Sequence, residues 1–69
     1  MNRFVLKTRV VINGAAHEVS TVYIPFAPEG CEYESMVWPV GTHDEILRRT
    51  YRTQEAAEAG HLAIVAQYS

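Results

Sequence analysis

The chain begins with side chains that alternate between apolar and polar. One side of this alternation carries Phe4, Leu6, Thr8, Val10 and Ile12. A period of two over residues 3–12 predicts a half-buried strand. Asn13-Gly14 follows, and this dipeptide tolerates the positive φ angles of a tight hairpin turn. A β-rich run over residues 18–24 then predicts the returning strand.

The register of this hairpin is open from the sequence alone. A two-residue turn would set Leu6 opposite Thr21 and Arg9 opposite Glu18. A loop over residues 13–16 would shift the pairing by two positions and set Leu6 opposite Tyr23. The two-residue turn pairs compatible side chains on both faces, and the longer loop also sets Val10 opposite Val19, so both registers make the cross-strand pairs that stabilise a hairpin.

A third strand is predicted after a connection rich in proline and glycine. Pro25, Pro28 and Gly30 end the second strand, because proline cannot donate to a strand ladder. Residues 33–38 then form a β-rich run that stops at Pro39. The following segment is ambiguous: residues 45–49 would suit a short helical turn, whereas residues 49–52 suit a short edge strand. We favour the strand.

The last third of the chain predicts a helix. Thr53 is a suitable N-cap, and Glu55 follows it near the positive end of the helix dipole. A helical period places five residues on one face: Ala57, His61, Ile64, Val65 and Tyr68. Gly60 would let that face approach the sheet closely. A single amphipathic helix must pack on a sheet.

These elements predict one fold. Residues 1–69 form a single α+β domain with the order β-β-β-(β)-α. Its antiparallel sheet has three to four strands, and the C-terminal helix packs on one face of that sheet.

Composition narrows the function classes. The chain has 69 residues with six basic and eight acidic side chains, for a net charge of −2. A nucleic-acid binder normally carries a basic excess, so nucleic acid is disfavoured as a partner. No apolar run reaches the roughly 18 residues of a membrane span. A lone cysteine without a secretory signal is typical of the cytoplasm.

A domain this small also buries little surface. A chain of this length hides only about 60% of the surface it exposes when unfolded. An interface with a second copy would add apolar burial, so a homodimer is a candidate assembly.

His61 is the single residue that most suggests a chemical role. A buried imidazole needs a hydrogen-bond partner, and a hydroxyl such as that of Thr21 or Ser35 would supply one. We therefore predict a structural role, in which His61 locks the helix to the sheet. With Cys31, the chain's histidines lack the paired spacing of zinc ligands. The sequence also has no nucleophile elbow and no phosphate loop. We therefore expect that the protein is not an enzyme and that it binds neither a metal ion nor a cofactor.

Charged and aromatic residues suggest binding surfaces instead. Three arginines are candidates for a basic patch: Arg48, Arg49 and Arg52. Acidic residues are candidates for an acidic edge: Glu29, Glu32, Glu34, Asp44 and Glu45. The aromatic residues divide between the core and the uncovered sheet face, and Trp38 is a candidate interaction residue among them. Those on the uncovered face, together with Val5, Val11, Val22 and Ile24, would form an apolar patch, and such patches usually mark an interface.

Three segments together resemble a known family. They are Val-Ser-Thr-Val-Tyr at 19–23, Tyr-Glu-Ser-Met-Val-Trp at 33–38, and Tyr-Arg-Thr-Gln-Glu-Ala-Ala-Glu-Ala-Gly-His at 51–61. They are similar to an ordered STVF or STVW strand, FETMVF strand and YST-x-EEA-x-x-GH helix start in small uncharacterised proteins of bacteriophages and prophages. This chain departs from the pattern in its shorter connection at 25–32 and in Ser35, which replaces threonine.

The resemblance implies an origin but no reaction. It implies a phage or prophage protein that acts in the host cytoplasm on a host or phage protein, and a host defence or regulatory protein is the natural partner. It carries over no catalytic residue. A nucleic-acid accessory module that uses Arg48, Arg49 and Arg52 is the alternative.

Overall fold

The computed structural model describes residues 4–69 and shows an α+β fold. An antiparallel sheet with the strand order β1-β2-β3-β4 precedes a single helix in this part of the chain. The elements are β1 Val5–Ile12, β2 Ala15–Tyr23, β3 Tyr33–Pro39, β4 Leu47–Tyr51 and α1 Gln54–Gln67. The predicted fold class is confirmed, and the fourth strand is present. Residue 3, where we predicted the first strand to begin, lies outside the described residues.

The first hairpin has the two-residue turn. Asn13 has a φ of 51° and Gly14 a φ of 79°, the left-handed values that a tight hairpin turn requires. Leu6 pairs with Thr21 and Arg9 with Glu18, so the register with the longer loop is wrong. Because the turn is so short, pairing starts at once, and β2 begins three residues earlier than the β-rich run suggested.

The ambiguous segment before the helix is a strand. β4 covers Leu47–Tyr51 and pairs with β3 from Tyr33↔Tyr51 to Val37↔Leu47. The backbone N–H of Ile46 already donates to the carbonyl of Val37 at 2.8 Å. The helical-turn alternative for residues 45–49 is therefore wrong, and β4 starts two residues before the strand that we favoured.

Helix α1 begins where its capping residue predicts. The Thr53 hydroxyl accepts a hydrogen bond from the backbone N–H of Ala56 at 3.1 Å. Ala57, His61 and Ile64 are buried, while Val65 and Tyr68 are partly buried against the core. The five residues assigned to the apolar face thus all point toward the sheet.

The helix covers one face of the sheet, which we call the inner face. It lies mainly over the two central strands, β2 and β3. The core under its C-terminal half contains Val10, Val19, Val37 and Ile64, and the last three of these are fully buried.

Aromatic rings fill the other end of the inner face. The Tyr33 ring packs edge-on against Phe4 at a centroid distance of 5.7 Å and lies 5.2 Å from the Tyr23 ring. The Tyr51 ring lies directly against Gly60, where an added Cβ would overlap it. Gly60 therefore permits close contact between helix and sheet, as the sequence predicted.

Candidate interaction surface

A buried polar network joins the helix to three strands. His61 is 2% exposed. Its Nδ1 lies 2.7 Å from the Thr21 hydroxyl, and its Nε2 lies 2.9 Å from the Thr8 hydroxyl. Thr21 in turn bonds to the Ser35 hydroxyl at 2.5 Å. The predicted partner Thr21 is confirmed, Ser35 is one step further along, and Thr8 was not foreseen.

One proton arrangement satisfies the fully buried hydroxyls. Ser35 donates to Thr21, Thr21 donates to Nδ1 of His61, and Nε2–H of His61 donates to Thr8. The reverse direction would leave the proton of the fully buried Ser35 without an acceptor among these bonds, which is costly. In the forward direction, the hydroxyl proton of Thr8 is the one without an acceptor among these bonds, and Thr8 is partly exposed. In this arrangement Nδ1 accepts a hydrogen bond and carries no proton, so the imidazole is neutral. Burial acts in the same direction, because it lowers the pKa of His61 below its ordinary value.

The centre of this network is buried. Thr21 and Ser35 have no exposed surface, so neither hydroxyl can meet a reacting molecule. Its geometry suits the structural role that we predicted for His61.

The opposite face of the sheet, which we call the outer face, has no helix over it. Strand alternation and the cross-strand partners define its members. They are Val5, Lys7, Arg9 and Val11 of β1, Ala16, Glu18, Ser20 and Val22 of β2, Glu34, Met36 and Trp38 of β3, and Arg48 and Thr50 of β4. Val5 is 52% and Val11 65% exposed, and Trp38 and Met36 are partly exposed.

A cleft opens on the outer face beside the β3–β4 connection. Its volume is ≈ 290 Å³, and its lining is Met36, Trp38, His43, Glu45 and Arg48. Met36 and Arg48 are cross-strand partners, so the strand pairing itself brings the apolar and charged walls together. Nothing in the sequence placed His43 beside Trp38, because a connection of irregular backbone separates them.

Two carboxylates hold Arg48 at the edge of this cleft. Its Nε donates to Glu45 at 2.8 Å and its Nη2 donates to the other oxygen of Glu45 at 2.5 Å. Nη1 lies 3.7 Å from a Glu34 oxygen. The hydrogen bond with Arg48 lowers the pKa of Glu45, and the same bond, aided by the charge of Glu34, raises the pKa of Arg48.

The three candidate arginines do not form one basic patch. Arg48 belongs to the outer face, whereas Arg49 alternates to the inner face at the exposed edge strand. Arg52 follows β4, and its guanidinium group lies over Gly30. Strand alternation separates neighbours that look like a cluster in the sequence.

The acidic residues are likewise divided between two ends of the sheet. Glu29 and Glu32 lie in the β2–β3 connection, where Glu32 accepts a bond from the Gly30 N–H at 2.9 Å. Asp44 and Glu45 lie in the β3–β4 connection at the opposite end of β3. The expected single acidic edge is therefore wrong, and only Glu34 and Glu45 share a site.

Two further findings concern the described residues. Within residues 4–69, no three His, Cys, Asp or Glu side chains come together in a way that could hold a metal ion. No helix of this part of the chain has both the length and the apolar character needed to cross a membrane.

Comparison of the chain with protein-family models, with curated proteins and with solved structures gives no match.

Proposed function

We propose that this protein acts by binding another protein through the outer face of its sheet. The observation that supports the proposal is the one-sided packing of the fold. The helix covers the inner face, while the outer face keeps Trp38 and Met36 beside an open cleft of ≈ 290 Å³. Tryptophan and methionine are enriched in the buried centres of protein interfaces, and tryptophan is a frequent energetic hot spot.

The origin and the class of partner rest on the sequence motifs. The resemblance at residues 19–23, 33–38 and 51–61 supports a phage or prophage protein that acts in the host cytoplasm. For a protein of that origin, we expect the partner to be a defence or regulatory protein of the host. The role is stoichiometric binding and not catalysis.

The test compares two truncations of apolar side chains on opposite sides of the molecule. Trp38→Ala alters the outer face, whereas Leu62→Ala alters the exposed back of the helix, where Leu62 is 67% exposed. Each variant and the wild-type protein are immobilised and exposed to bacterial lysate. We expect a protein that the wild type and Leu62→Ala retain and that Trp38→Ala releases, with an affinity loss of at least tenfold.

Two results would contradict the proposal. One is equal retention of the partner by the Trp38→Ala protein, once circular dichroism has shown that this variant is folded. The other is retention of nucleic acid instead of protein, with binding that weakens steeply as salt increases. That second result, together with loss of binding in an Arg49→Ala, Arg52→Ala protein, would favour the nucleic-acid alternative.

A further inference from the structure

The cleft on the outer face has a size that suits one side chain. Small-molecule and cofactor sites occupy roughly 300–1,000 Å³, and the ≈ 290 Å³ of this cleft falls at the lower limit. Met36 and Trp38 give it an apolar and aromatic wall. The cleft is therefore smaller than most cofactor sites, and it is open to a single anchor side chain of a partner protein.

Beside the cleft, two carboxylates share one guanidinium group: Glu45 and Arg48 line the cleft, and Glu34 contacts Arg48 from outside the lining. The Glu34 side chain is only 13% exposed, whereas the Arg48 side chain is 55% exposed. The carboxylate of Glu34 is thus partly removed from water, and Arg48 is the more exposed partner of this pair.

We propose, on the basis of the protein-binding function above, that this cleft anchors an arginine side chain of the partner. Arg48 is then an intramolecular stand-in that occupies the carboxylates of Glu34 and Glu45 until the partner arrives. A guanidinium group suits the site twice. It stacks on the face of an indole ring such as that of Trp38, and its planar fork matches a carboxylate bidentately.

A short peptide tests the site without knowledge of the partner. Trp38 is the only tryptophan of the chain, so its fluorescence and its indole N–H resonance report on the cleft alone. The probe is acetyl-Gly-Arg-Gly-amide, and the comparison peptides replace arginine by citrulline, leucine or aspartate. We expect saturable binding of the arginine peptide, at least tenfold tighter than that of any comparison peptide.

Variants of the charged wall separate the stand-in from its alternatives. Glu45→Gln and Glu34→Gln should each weaken binding of the arginine peptide several-fold. Arg48→Gln should strengthen it several-fold, because the change frees both carboxylates for the incoming guanidinium group. Glu55→Gln, which removes an exposed carboxylate on the helix, is the matched control and should leave the affinity unchanged. Thermal melts establish that every variant is folded.

Each contrary result identifies what is wrong. Tighter binding of the leucine peptide would mean an apolar anchor site, and tighter binding of the aspartate peptide with loss in Arg48→Gln would mean an anion site. Absence of saturable binding by all four peptides would also overturn the inference. If Trp38→Ala still abolishes partner binding in that case, the proposed function stands without it. If the arginine peptide binds but Trp38→Ala keeps its partner, the cleft stands and the proposed function fails.

Discussion

At the scale of single residues, His61 decides how the helix and the sheet are joined. Its imidazole bonds to hydroxyls of β1 and β2, and the chain of bonds continues to β3 through Ser35. A buried donor or acceptor that loses its partner costs about 1–3 kcal/mol. We expect His61→Ala to lower the free energy of unfolding by about 2–3 kcal/mol, measured by urea denaturation, while partner binding by the folded fraction persists.

The same residue should make stability depend on pH. Burial lowers the pKa of His61 in the folded state, so the unfolded chain takes up a proton first as the pH falls. The contribution of His61 to the free energy of unfolding is complete above the unfolded pKa of about 6.5. It declines below that pH, by no more than about 1.4 kcal/mol per pH unit. The decline should be absent in His61→Ala and present in His17→Gln. An equal decline in all three proteins would contradict this role.

Part of this network was predictable from the sequence. The helical period placed His61 on the buried face, and the need for a partner pointed to Thr21 and Ser35. Thr8 was missed as a partner because the alternation shows only which side of the strand it is on. Its distance from the imidazole depends on where the helix crosses β1, which no local pattern encodes.

At the scale of elements, the contact between Tyr51 of β4 and Gly60 of α1 sets how closely helix and sheet approach. The Tyr51 hydroxyl is buried and makes no hydrogen bond within residues 4–69. Its ring occupies the position that a side chain at residue 60 would need. The ring therefore requires glycine at this position of the helix.

This contact predicts a change of sign in a double-mutant cycle. Alanine normally stabilises a helix by about 1 kcal/mol relative to glycine, but overpacking costs about 1–3 kcal/mol. Gly60→Ala should therefore destabilise the wild-type protein in urea denaturation, and it should stabilise a Tyr51→Val protein by about 1 kcal/mol. Destabilisation of the same size in both backgrounds would mean that the ring is not the obstacle.

Element boundaries followed from the sequence where local chemistry fixes them. Asn13-Gly14 and Thr53 each marked the end or the start of an element correctly. The register of the first hairpin was not decided, because two pairings were equally compatible. β4 was placed two residues late, because its first residue is held by pairing with Val37 in β3. That pairing is non-local and leaves no periodic signal in a five-residue strand.

At the scale of the whole molecule, the arrangement of layers was predictable but the distribution of charge was not. One amphipathic helix after a set of strands leaves one sheet face uncovered, and this followed from the element order. The basic and acidic clusters of the sequence were then divided by strand alternation and by the two ends of the sheet. The β3–β4 pairing brings Glu34 and Trp38 beside Arg48, whereas Glu45 is already a near neighbour of Arg48 in the sequence.

Quenching of Trp38 fluorescence by acrylamide tests most directly whether the outer face is the binding surface. The reading is unambiguous because the chain has a single tryptophan. In the free protein we expect substantial quenching that does not change with protein concentration, and a several-fold lower quenching constant when the partner retained by the wild-type protein is added. Unchanged quenching in the complex would contradict binding through this face. Quenching that falls with protein concentration alone would show that a second copy covers the outer face instead.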